Sequence, residues 1–292
     1  MIQDKPYEFM VKYTPQREWI EERGLLIWLS SFFVEVGAAT FMIASISGNL
    51  WAMLVGLALC AIPGGGLHLA DLGRPLRFWR ILFSSSWKSS WIARGIWFVS
   101  LFIFFGGLYV ALAFLSLDTP LLAATAFAFA FCTIIYFGFL LSYVKGLALW
   151  NSSLLPVLIL VISIWGGLNV HMLTSLITDT VPVPLELLSQ PFPLLVVFVL
   201  FFYLAGIRYQ GRGGRVSFGE IVRGKWAPLF WIGVVFCGVV FPVAVGWLGM
   251  PAMNLPKLLL FISLFLQLGA NLSLRYCIFK CAIYEPVIPA LN

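Results

Sequence analysis

Residues 93–143 read ARGIWFVSLFIFFGGLYVALAFLSLDTPLLAATAFAFAFCTIIYFGFLLSY. Past Arg94, the only charged residue is Asp118, followed by Thr119 and Pro120. The runs on either side, 93–117 and 120–143, each exceed the roughly 20 mostly apolar residues that a helix needs to cross a bilayer core. The stretch therefore reads as two membrane-spanning helices joined by a tight turn at Asp118–Pro120.

The same pattern repeats in both directions. Further spans are expected at 25–47, 51–70, 153–178, 192–210, 227–249 and 256–279. Of the 292 residues, 61% are hydrophobic and 10% charged, and the mean hydropathy is +0.99. An ordinary soluble domain has about 25% charged residues, so the solvent for most of this chain is lipid. The expected fold is an all-α membrane protein with eight transmembrane helices in two four-helix bundles. It divides into an N-terminal segment (1–24), a first bundle (25–150) and a second bundle with a C-terminal tail (151–292). Acidic residues such as Glu8, Glu18, Glu21 and Glu22 among the first basic ones argue against a removable leader. The spacing of the five cysteines provides no four-ligand set for an iron–sulfur cluster, so they read as packing residues.

With eight spans, 17 of the 18 lysines and arginines fall on the side of the N-terminus, and Lys257 alone falls on the other. The positive-inside rule then places both termini in the cytoplasm and the chain, multi-pass, in the cell's inner membrane. The basic connections face lipid headgroups or a hydrophilic partner protein. The 211–215 string GRGGR lacks the ending of a phosphate-binding loop and reads as a flexible basic turn. Nothing points to nucleic acid.

Residues 63–95, PGGGLHLADLGRPLRFWRILFSSSWKSSWIARG, hold the densest chemistry. Pro63 and Gly64–Gly66 are expected to interrupt the second span. Irregular backbone at membrane depth is tolerated only where it is buried in protein or lines a cavity, and small residues also serve close helix packing; both remain open. His68 and Asp71, three residues apart, share a face if the helix continues. An imidazole and a carboxylate there can pass protons between a ligand and water; alternatively, Asp71 pairs with Arg74 or caps the next turn. Arg74-Pro75 ends the helix, and Arg77, Phe78, Trp79 and Arg80 form an interfacial basic and aromatic turn. Glu35 falls near the middle of the first span, where a carboxyl group is costly and faces the bundle interior. It is either a proton acceptor or donor or a hydrogen-bonded structural group. Gln267, Asn271 and Arg275 descend one face of the last span and read as interhelical bonding. His68 and His171 differ in depth by roughly 20 Å or more at 1.5 Å per residue, so one haem cannot use both. No haem or iron–sulfur cluster is expected in this chain.

HLADLGRPLRFWRI followed by SSWIARG resembles the signature of the NrfD/PsrC-like membrane subunits, typified by the polysulfide reductase anchor. The ending is also similar to that of the related dimethyl sulfoxide reductase anchor family. The resemblance implies eight spans in two bundles and menaquinone or ubiquinone bound in the first bundle. It further implies an iron–sulfur electron-transfer partner, serving a molybdopterin catalytic subunit or a multihaem cytochrome. Carried over by position, the quinone site would draw on Glu35, Gly65, Gly66, His68 and Tyr136. Glu35, His68 and Asp71 would handle protons, and Arg74, Arg77, Arg80 and Arg94 would meet the partner. Family members with histidine and asparagine in the first span differ from this chain, which has neither there. The expected function is thus a quinone-binding membrane subunit of a respiratory oxidoreductase. A proton-coupled transporter or proton channel, supported by Glu35, the glycine break and the polar stripe on the last span, is the alternative, and a pure anchor is a third reading.

Overall fold

The computed structural model describes residues 8–83, 85–180, 191–249 and 257–286. Among them, eight helices are long and apolar enough to cross a membrane: Gly24–Ser47, Leu50–Asp71, Trp91–Phe114, Pro120–Ser142, Leu154–Ile177, Phe192–Tyr209, Leu229–Gly246 and Lys257–Lys280. They are called spans 1 to 8. Most of the expected fifth connection, 181–190, lies outside the described residues.

Local chemistry sets the span ends. Gly48 takes a left-handed φ of 72° and stops span 1. Asn49 then accepts a hydrogen bond from the Ala52 amide and starts span 2. Ser90 caps span 3 through the Ala93 amide, and Pro120 occupies the first turn of span 4, where its missing donor costs nothing.

The interruption expected at Pro63–Gly66 does not occur. Span 2 runs on to Asp71, with one π-helical turn at Cys60–Gly64 containing Pro63. Local π adjustment re-satisfies the backbone groups that a proline frees in a membrane helix. Span 7 is likewise π-helical over Leu229–Val240.

Spans 1 and 5 are the most buried, and span 3 among the least. Span 1 packs against spans 2, 4, 5 and 8. It meets span 2 backbone to backbone: a Cβ on Gly37 would lie 2.5 Å from the Gly56 carbonyl oxygen, and one on Gly56 would lie 2.6 Å from that of Gly37. Small residues that allow such approach drive helix association in lipid, where hydrophobic burial gives no net preference for a neighbouring helix. One apolar cluster gathers Phe41, Met53, Phe102 and Ile134 from spans 1 to 4. A larger one centres on Phe137, Trp150, Trp165, Tyr203 and Phe279. Cys277 and Cys281 belong to the larger cluster and Cys60 to the smaller, as packing residues.

Residues 14–15 and 283–284 meet at one end of the bundle. Thr14–Pro15 pairs antiparallel with Ile283–Tyr284. The Gln16 side-chain amide donates to the Phe279 carbonyl at 2.6 Å, and the Trp150 indole donates to that of Ile278 at 2.8 Å. The GRGGR string is not a flexible turn but the start of a surface helix, Gly211–Val222. The chain turns at Gly211 (φ 72°), and the Gly213 amide donates to the Glu285 carboxylate at 2.8 Å. A Cβ on Gly213 would strike that side chain at 2.5 Å, so here glycine serves contact. Arg275, counted among the charges of the N-terminal side, is fully buried within span 8. Its bonds to Glu35 and Ser163 are long-range and invisible to a charge count.

Candidate functional site

Spans 1 to 4 line a cavity of about 350 Å³ at the end where residues 14–15 pair with 283–284. Its walls come from Ile27 of span 1, Gly65 and His68 of span 2, Gly95, Val99 and Ser100 of span 3, and Tyr136 and Leu140 of span 4. Trp19, Asp71, Leu72 and Phe78 complete it where the chain leaves the helices. A mostly apolar wall with a few convergent polar groups is the usual make-up of a small-molecule site, and the volume falls at the lower end of the range of about 300–1,000 Å³ for such sites.

The π turn helps aim span 2. One extra residue in a turn rotates everything after it by about 100°. Past that turn, Gly65, His68 and Asp71 all reach the same cavity. His68 Nδ1 lies 2.9 Å from the hydroxyl of fully buried Ser30. His68 Nε2 is buried with no hydrogen-bond partner among the described residues. Across the cavity, the Tyr136 ring presses on span 3. A Cβ on Gly95 would overlap that ring, so the glycine of SSWIARG makes the room that Tyr136 occupies.

Of the residues expected in the site, the structure thus brings Gly65, His68, Asp71 and Tyr136 to one cavity. Gly66 is not in its lining, and a Cβ there would meet nothing within 4 Å. Glu35 is not in it either. Arg74, Arg77 and Arg80 are exposed on the segment beyond the cavity mouth, with Arg80 lying 5.6 Å over the Trp79 ring. Arg94 differs from them. Its guanidinium donates to the Trp87 and Lys88 carbonyls at 3.0 and 2.5 Å and lies 4.8 Å over the Trp91 ring, holding the loop to span 3.

Glu35 belongs to a second polar centre, between spans 1, 5 and 8. Arg275 Nη1 meets its Oε2 at 2.6 Å, with both side chains fully buried. The Ser163 hydroxyl lies 2.7 Å from the same oxygen and accepts from Arg275 Nη2 at 2.8 Å. Arg275 Nε donates to Asn271 at 3.0 Å, and the Asn271 amide donates to the Ile162 carbonyl. One turn on, Gln267 accepts from the Trp165 indole at 2.8 Å. The polar stripe on span 8 is thus interhelical bonding, as read from its spacing. The two histidines are held at opposite ends of span 1: His171 Nε2 meets Ser47 at 2.8 Å, about 25 Å along the axis from Ser30.

Ser30, Gly95 and Arg275 are the residues that sequence reasoning missed in these roles. Arg275 could have been found, because the i, i+4, i+8 stripe already placed it on a buried face. Ser30 gives no such signal, since serines in spanning helices commonly bond their own backbone.

A family model described as polysulphide reductase, NrfD, matches residues 23–286. The C subunit of polysulfide reductase from Wolinella succinogenes is 32% identical over 208 residues, 62% of this chain and 65% of that protein. The match thus spans somewhat less than two thirds of that relative's length. The NrfD homolog of Haemophilus influenzae is 22% identical over 284 residues, 83% of this chain and 86% of that one. With eight apolar spans and a family match covering all of them, the chain is a multi-pass membrane protein that belongs to the polysulphide reductase, NrfD, family.

Proposed function

We propose that this chain is the quinone-binding membrane subunit of a multi-subunit respiratory oxidoreductase and exchanges electrons with an iron–sulfur partner. The observation that carries this reading is the cavity within spans 1 to 4, whose apolar wall suits a quinone ring and tail. Tyr136 and His68 supply hydrogen-bonding groups for the ring oxygens. Asp71, at the mouth and one helical turn from His68, passes protons to water. Family membership supports a complex with a molybdopterin catalytic subunit or a multihaem cytochrome.

In this reading spans 1–4 and 5–8 form two four-helix bundles, menaquinone or ubiquinone binds in the first, and both termini lie in the cytoplasm. The inner membrane is then the location. The charge distribution supports the orientation with Arg275 removed from it, because sixteen of the remaining lysines and arginines still face Lys257 alone. Arg74, Arg77 and Arg80, exposed just past the cavity mouth, suit the docking of an acidic partner surface close to the quinone. The transporter reading loses two of its supports, since span 2 is unbroken and Glu35 is bonded to Arg275.

Purification from native membranes tests the proposal. Isolation with an iron–sulfur subunit and bound quinone is the expected result. Isolation alone, with no response to quinone analogues and with solute uptake in vesicles, would overturn it.

A further inference from the structure

The hydrogen bonds at Ser30 favour one tautomer of neutral His68. Ser30 Oγ lies 2.9 Å from the Ile27 carbonyl oxygen and 2.9 Å from His68 Nδ1. A hydroxyl has one hydrogen, and a carbonyl oxygen can only accept. If the hydroxyl donated to His68, its own lone pairs would face those of the Ile27 carbonyl at 2.9 Å. Both contacts are hydrogen bonds only when Ser30 donates to Ile27 and His68 Nδ1–H donates to Ser30. In neutral His68, Nε2 is then a bare lone pair. That atom is buried with no partner among the described residues, on a side chain that lines the cavity.

A bare acceptor discriminates between the two forms of a quinone. A hydroquinone offers it an O–H, whereas an oxidised quinone offers only carbonyl lone pairs. The other tautomer, which would donate from Nε2, forfeits the Ser30 hydrogen bond network. We propose that Ser30 is a positioning residue that presets His68 as a hydrogen-bond acceptor, so that the cavity binds hydroquinone in preference to quinone. This rests on the cavity being the quinone site.

The test uses the full-length chain purified with its partner subunits. The probes are the reduced form of a short-chain naphthoquinone, held under a reductant without oxygen, and the oxidised form. Affinity for each is measured by equilibrium dialysis for the parent, Ser30→Ala and Ser30→Thr. The parent is expected to prefer the reduced probe. Ser30→Ala should weaken binding of the reduced probe about tenfold, the equivalent of one lost hydrogen bond, while leaving the oxidised probe within about twofold. Ser30→Thr, which keeps the hydroxyl, should restore the preference. A parent that binds both forms equally overturns this inference and leaves the quinone site standing. So does a Ser30→Ala variant that keeps the preference, or that loses both forms alike. A parent that binds neither form removes the quinone reading as well. The parent comparison decides the preference even if Ser30→Ala fails to assemble.

Discussion

The cavity wall at Ile27 and the Glu35–Arg275 centre lie about 12 Å, a little over two turns, apart along span 1, and they treat polar groups differently. At Glu35, two full charges are out of water, and one carboxylate oxygen takes bonds from both Arg275 and Ser163. Asn271 and Ile162 complete the set. Spans 1, 5 and 8 close on this centre. At the cavity, spans 1 to 4 leave an open volume of about 350 Å³, and His68 keeps a nitrogen without a partner among the described residues. The difference teaches that position decides the role. Glu35 also keeps one oxygen, Oε1, without a partner among the described residues, but it lies outside the cavity lining and ties helices together. His68 lines the cavity and can meet a ligand. Glu35 was nevertheless the sharpest polar signal in span 1.

The largest expected effect breaks the closed centre. Glu35→Gln leaves Arg275 as a buried cation without its counter-charge, a change that costs about 3–5 kcal/mol. The assembled protein should lose yield and unfold at lower temperature in detergent. Replacing both partners, Glu35→Met with Arg275→Met, should recover most of that loss, because a buried pair exchanged for apolar residues is often close to neutral. Equal losses in the single and double variants would show that the pair is not what holds spans 1 and 8.

Gly95→Ala acts on the open site instead. The added methyl must displace the Tyr136 ring, and overpacking of this kind costs about 1–3 kcal/mol. Quinone-analogue affinity should fall at least tenfold while helix content by circular dichroism stays unchanged. Tyr136→Phe is gentler. It keeps the ring and removes one hydrogen-bonding group, about 1 kcal/mol, so quinol-linked turnover should fall severalfold without a change in melting temperature. Unchanged turnover would take the hydroxyl out of the site.

The smallest effect lies at the far end. Lys257 bonds the Asp179 carboxylate at 2.7 Å and holds its carboxyl below the usual carboxylate range. Any contribution of the pair to stability is therefore present above that range and lost as pH falls through the lowered value. Both side chains are exposed, so solvent screens them. Lys257→Ala should leave the melting temperature at pH 7 unchanged, in contrast to Glu35→Gln.

The span count and most span ends were legible because each depends on a continuous apolar run or on a local cap. The Pro63–Gly66 stretch was misread as a break. Sequence shows that proline lacks an amide hydrogen, but not that one wider turn can absorb the loss within a continuing helix. For the site, HLADLGR and SSWIARG drew attention to the right segments, and His68, Asp71 and Gly95 all line the cavity. The motif alone did not say why Gly95 is a glycine; that reason is the Tyr136 ring, some forty residues on.

What the sequence determined by itself is the medium and the count: eight spans in lipid, from composition and run length, together with the family to which the chain belongs. Those properties are sums over local stretches, and lipid forces each stretch to satisfy its own backbone. What only the tertiary structure decided is which polar groups find each other. Arg275 reaches Glu35 across 240 residues and Ser30 reaches His68 across 38. In a helix that is apolar on every side, periodicity carries no information about which face meets which neighbour. Backbone contacts between small residues, such as Gly37 with Gly56, set those faces, and they exist only once the helices have packed.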